Sequence, residues 1–142
     1  MKFFSELVNL VLIAIAFISG ALLLWPVWLL RRATLSCAPW EATQLINRHN
    51  AIIIDLRSAD KFRQGHLPQA RHLPFDELRS KVDLLVKNKN TAVLLVCQNS
   101  KLSSKAHYIL KKAGYVEVFT LRGGMNAWQQ SNMPVVKQKE SK

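Results

Sequence analysis

The chain has 142 residues, room for one domain of ordinary size and a short appendage but not for two full domains. Hydrophobic residues make up 49%, yet they are unevenly spread: Leu7 to Leu30 contains no charged residue, while the remainder reads as an ordinary soluble sequence. The formal charge of +11 falls on residues 31–142, and the two cysteines, Cys37 and Cys97, with four scattered His, exclude a disulfide framework and a zinc or iron ligand cluster, leaving single-thiol chemistry in a reducing compartment.

The first predicted element is the apolar run LVNLVLIAIAFISGALLLWPVWLL. At about 1.5 Å per residue its 24 residues make a helix of roughly 36 Å, enough to cross about 30 Å of hydrocarbon with some tilt. Trp25 and Trp28 suit an interfacial aromatic belt, and Pro26 falls near the last turn. Arg31 and Arg32 follow at once, whereas the other flank offers Lys2 against Glu6, so the positive-inside rule predicts a single-pass anchor in the inner membrane with the C-terminal domain in the cytoplasm. A cleaved signal peptide would have a shorter apolar region and small residues at the position of the Arg pair. Residues 1–32 are thus the anchor with its flanks and 33–38 a linker; 39–136 form the soluble domain, and 137–142 a polar tail. The cations of the domain (Arg48, Arg57, Lys61, Arg63, Arg71, Arg79, Lys81, Lys87 and Lys89 among them) are scattered rather than clustered with aromatics. That pattern argues against nucleic acid and fits attraction to an anionic leaflet, at about 1 kcal/mol per nearby cation.

Within the domain, Pro39 to Arg48 reads as a helix with Pro near its start, and Ala51 to Asp55 as a short buried parallel strand. Lys61 to Gly65 is a turn of helix stopped by glycine, Ala70 to Leu73 a brief strand, and Phe75 to Val86 helical in pieces. Ala92 to Cys97 is a second buried strand. Ser103 to Ala113 has Ser at the N-cap, Lys in the last turn and Gly114 beyond it, a helix from end to end. Val116 to Leu121 is the last strand, and a closing helix runs from Met125 to Gln130. Strands alternating with helices predict an α/β domain with a parallel sheet flanked by helices, preceded by one N-terminal transmembrane helix.

Cys97 ends a buried strand, at the carboxyl edge of a parallel sheet where open α/β folds bind ligands. If the following loop wraps the sulfur, its N–H groups and the helix N-terminus, with Lys101 and Lys105, lower the thiol pKa toward neutrality and prepare a nucleophile. The residues alone leave a second reading equally open, in which Cys97 is a buried hydrophobe finishing a strand.

The rest of the chain carries more specific signals. Asp55-Leu56-Arg57, then Phe62, then Gly65-His66-Leu67-Pro68-Gln69-Ala70 resemble the D-x-R … F … G-H-I-P-G-A signature of the rhodanese-like family. Cys97-Gln98-Asn99-Ser100-Lys101-Leu102-Ser103 falls where that family has its active-site loop, and Leu121-Arg122-Gly123-Gly124-Met125-Asn126-Ala127-Trp128 matches its closing L-x-G-G-x-x-A-W. The anchored single-domain layout is similar to small bacterial membrane-bound rhodaneses. This resemblance implies a sulfurtransferase in which Cys97 takes a sulfane sulfur, becomes a persulfide and passes it to a thiophilic acceptor, with no metal or cofactor. It implies that Gln98, Asn99, Ser100, Lys101, Leu102 and Ser103 hold the anionic persulfide. Asp55 and Arg57 would lock the domain, and Phe62, Gly65, His66, Pro68, Gly123, Gly124 and Trp128 would serve turns and packing. Against the family's common C-R-x-G-x-R-S loop, Ser100 replaces Gly and Leu102 replaces Arg, which removes a bidentate anion clamp for which Lys101 is a weaker substitute. These departures motivate an alternative: a catalytically weak rhodanese-fold module that docks beside a membrane-protein partner. A phosphatase or arsenate reductase on the same fold would need a loop one residue longer and an Arg where Ser103 stands.

Overall fold

A computed structural model describes residues 1–32 and 35–138, with side chains omitted at 27–32 and at Ser100. The predicted contributions of Trp28, Arg31 and Arg32, the start of the linker, and the last four tail residues lie outside the described residues. The chain divides into two units, Met1–Ala33 and Thr34–Lys142.

The first unit is helix α1, Lys2–Arg32. Its segment Lys2–Pro26 has a mean hydropathy of 2.7 and none of that window is buried in the protein, so by length and composition it can span a bilayer.

The second unit holds β1 (Leu35–Cys37), α2 (Pro39–His49), β2 (Ile52–Asp55), α3 (Ala59–Gln64), β3 (Arg71–His72), a 3-10 turn (Phe75–Glu77), α4 (Leu78–Leu85), β4 (Val93–Val96), α5 (Ser100–Lys112), β5 (Val118–Leu121) and α6 (Gly124–Gln130). The sheet order is β1-β5-β4-β2-β3 and every pairing is parallel. The two strands that read as continuous apolar runs, β2 and β4, lie side by side inside the sheet, as burial on both faces requires.

Alternate residues feed two cores, one on each face of the sheet. Ile54, Val93, Leu95 and Cys97 pack under α4 and α5, against Leu78, Val82, Ala106 and Leu110. Cys37, Ile53, Leu94, Val96 and Leu121 pack on the other face against Ala42 of α2 and Met125 and Trp128 of α6.

Two elements differ from the sequence reading. Leu35–Cys37, assigned there to a linker, forms edge strand β1 because β5 offers it a parallel partner, with Cys37 opposite Leu121. Helix α5 begins at Ser100 rather than Ser103. Asn99 caps it, its side chain accepting from Leu102 N at 2.9 Å.

Candidate functional site

Cys97 follows the last residue of β4, one position beyond the register pair Asp55–Val96. The carboxyl ends of β4 and β5, the start of α5 and the turn into α6 converge there on a cavity of about 360 Å3. Cys97 forms part of its wall, with Gln98 and Asn99 from the loop and Ser103 and Ser104 from the first turn of α5. The opposite wall is Ser36, Thr120, Leu121 and the Arg122-Gly123-Gly124 turn.

Gly124 ties the two walls together. Its φ is +57°, and a Cβ there would sit 2.4 Å from the Cys97 carbonyl oxygen. Only glycine tolerates both the left-handed backbone and that approach. Gly123, at φ +72°, would place a Cβ 2.6 Å from that of Ala127.

Of the six loop residues named from sequence, Gln98, Asn99 and Ser103 line the cavity, while Lys101 and Leu102 do not. Lys101 is exposed on the first turn of α5, and Leu102 packs against the core beneath that helix. Two of the loop N–H groups have partners within the loop itself. Leu102 N donates to Asn99 Oδ1, and Ser103 N donates to Asn99 O at 3.3 Å. Those amides are used by the helix cap.

The thiol itself differs from expectation. Cys97 is 2% exposed, and burial pushes its pKa up from an ordinary value near 9 to about 11, with the Asp55 carboxylate adding to the rise and a hydrogen bond with the Ser103 side chain opposing it. Burial therefore favours the neutral thiol in this conformation. The reason is geometric: the sulfur joins the apolar cluster under α5.

Cys37 behaves alike. It donates to Thr120 O at 3.5 Å, and burial, reinforced by Glu41, raises its pKa to about 11. The two sulfurs belong to cores on opposite faces of the sheet, on strands separated by β5, so they cannot form a disulfide without unfolding. Both thiols stay protonated on folding, whereas in the unfolded chain they ionise near their ordinary pKa. Their contribution to stability is therefore fully present below about pH 9 and is lost as pH rises toward about 11. Thermal melts taken stepwise from pH 8 to 11 are expected to hold steady at first and then fall; a flat profile would contradict the burial of both thiols.

The motif residues upstream build the neighbouring corner. Asp55 and Arg57 form a buried ion pair, Arg57 Nη2 to Asp55 Oδ2 at 2.7 Å with Nε and the Arg57 backbone N also donating to the carboxylate. Arg57 Nη2 further donates to Gly65 O at 2.7 Å, pinning the Gly65-His66 turn to the end of β2. His66 stacks on Phe62 with ring centroids 3.9 Å apart, and its Nδ1 bonds Phe62 O. Its ring is thereby occupied and is not among the residues lining the Cys97 cavity. Pro68 and Trp128 face a separate apolar cavity, and Trp128 Nε1 donates to Pro134 O at 2.8 Å.

Sequence reasoning missed Ser36, Thr120 and Arg122. Ser36 was hidden with β1, and Arg122 stood at the variable position of its motif.

A cysteine at the carboxyl end of a central parallel strand, between a capped helix and a double-glycine turn, defines a single-thiol α/β domain. The family model described as "Rhodanese-like domain" matches residues 38–131, and the chain belongs to that family. It is similar to the uncharacterized protein YibN of Escherichia coli K12, 36% identical over 100 residues that cover 70% of each chain. By fold it resembles a thiosulfate sulfurtransferase from Pseudomonas aeruginosa (TM-score 0.66, 23% identity, 73% of this chain and 20% of that one). It also resembles an E. coli rhodanese solved with anions (TM-score 0.52, 27% identity, 62% of this chain and 99% of that one).

Proposed function

We propose that this domain carries sulfane sulfur as a persulfide on Cys97, at the cytoplasmic face of the inner membrane to which α1 anchors it. The observation that carries the reading is the place of Cys97: on the wall of a 360 Å3 cavity, at the carboxyl end of a central parallel strand. Family membership and the fold shared with a thiosulfate sulfurtransferase support it.

In the reaction, Cys97 loses its proton to solvent and the thiolate attacks the outer sulfur of a donor such as thiosulfate. The donor's S–S bond breaks, sulfite leaves with the bonding pair, and Cys97 becomes a persulfide. An acceptor thiolate then attacks the terminal sulfur and returns Cys97 to a thiolate, a ping-pong cycle that needs no cofactor. The donor and acceptor are a small molecule or a protein, and the anchor confines the exchange to partners at the membrane.

Because burial pushes the thiol pKa up, to about 11, loading is expected to be base-dependent. With thiosulfate as donor, the single-turnover loading rate of the full chain is expected to climb about tenfold per pH unit between about pH 7 and 9. A plateau below pH 8 would show a low-pKa thiolate and contradict the neutral resting thiol.

A second reading is favoured by that neutral thiol together with Leu102 turning into the core: a weak or inactive module that docks on a membrane protein. Complementation with Cys97→Ser separates the two. Loss of the deletion phenotype's rescue supports the carrier, and full rescue by Cys97→Ser supports the docking module.

A further inference from the structure

We propose that Arg122, outside the active-site loop, is the substrate-binding residue that holds the anionic end of a thiosulfate-like donor in the Cys97 cavity. The proposal rests on the sulfur-carrier reading above and adds the residue that selects the donor's charge.

The loop position where the family's clamp stands is Leu102, and its side chain packs into the core under α5. Lys101 and Lys105, the nearest cations in sequence, do not line the cavity. Among the described residues that do line it, Arg122 is the one that carries positive charge. Its backbone is fixed, since Arg122 N donates to Cys37 O at 2.8 Å and Gly123 and Gly124 hold the turn that follows. Its guanidinium lies along the wall it shares with Ser36, where Nη2 donates to Ser36 O at 3.3 Å. Among the described residues it has no carboxylate partner within 4.0 Å. A guanidinium has five N–H donors, so a fork remains for an oxyanion.

A thiosulfate-like dianion needs two contacts in such a cavity. Its outer sulfur must meet Cys97 while the sulfonate, one bond further out, meets a cation. The Ser36 hydroxyl on the same wall is the kind of donor a sulfonate uses.

The test uses the full chain in detergent and separates binding from turnover. Thiosulfate binding to Cys97→Ser is measured by titration calorimetry beside Cys97→Ser with Arg122→Ala and Cys97→Ser with Arg122→Lys. The alanine change is expected to weaken binding at least about tenfold, and lysine to restore part of it as a point charge. In chains that keep Cys97, Arg122→Ala is expected to raise the KM for thiosulfate by a similar factor, with kcat and loading from a protein-bound persulfide within about twofold of wild type. Unchanged thiosulfate binding in Arg122→Ala overturns the proposal, and so does equal slowing with both donors. If the wild type loads from neither donor, the carrier reading fails, while the calorimetry still reports whether Arg122 binds the anion.

Discussion

Asp55→Ala is expected to destabilise the domain by about 3–5 kcal/mol, because it leaves the Arg57 guanidinium buried without its counter-charge. The side chains of Asp55 and Arg57 are 0% and 6% exposed, so water cannot take the place of the lost carboxylate. The pair is also an anchor for the chain: Arg57 holds Gly65 O, so the β2 end and the Gly65-His66 turn loosen together. Chemical denaturation followed by tryptophan fluorescence measures the loss. Replacing both partners with apolar residues of similar size, Asp55→Leu with Arg57→Met, is expected to recover much of it, since no charge is then stranded. A single Asp55→Ala variant within 1 kcal/mol of wild type would mean that the pair is solvated in solution.

Gly124→Ala is the second change with a large expected effect. A Cβ at this position would stand 2.4 Å from the Cys97 carbonyl oxygen, and at φ +57° any side chain adds strain of about 1–2 kcal/mol. A backbone oxygen cannot swing aside as a side chain can, so relief must come from moving the α6 turn away from β4. We expect a loss of roughly 2–5 kcal/mol, combining the left-handed backbone with overpacking, and a change in the cavity wall beside Cys97. The control is Asn126→Ala, an exposed position in the same helix, which is expected to stay within about 0.5 kcal/mol of wild type. If both variants melt alike, the close approach of the turn to Cys97 is not present in solution.

The central strands were legible because their residues are almost all apolar and β-branched or leucine, and the alternation of strands with helices marked a parallel sheet. Gly114 after the last Lys of α5 and Gly65 after α3 likewise marked the helix ends where they lie. Strand β1 was not legible. Three residues beside a long apolar run have no periodicity of their own, and LSC becomes a strand only because β5 presents an open edge. The start of α5 was ambiguous for a local reason: Asn99 and Ser103 both satisfy the rule for an N-cap, and the backbone chose the asparagine, whose side chain reaches Leu102 N. That choice moves the helix start toward Cys97. It accompanies a Leu102 that packs against the core and two loop amides engaged at the cap, neither of which a residue pattern records. Arg122 was in view throughout but lay in a variable position, and its relation to Cys97 exists only once β4 and β5 are paired.

Placing the carried sulfur on Cys97 is the claim on which the mechanism stands, and intact-protein mass spectrometry with peptide mapping tests it most directly. After incubation of the full chain at about pH 9 with thiosulfate, or with a cysteine desulfurase and cysteine, a gain of about 32 Da is expected on the peptide containing Cys97, discharged by a thiol acceptor and missing in Cys97→Ser. No adduct from either donor, or an adduct carried by Cys37 instead, would contradict the account.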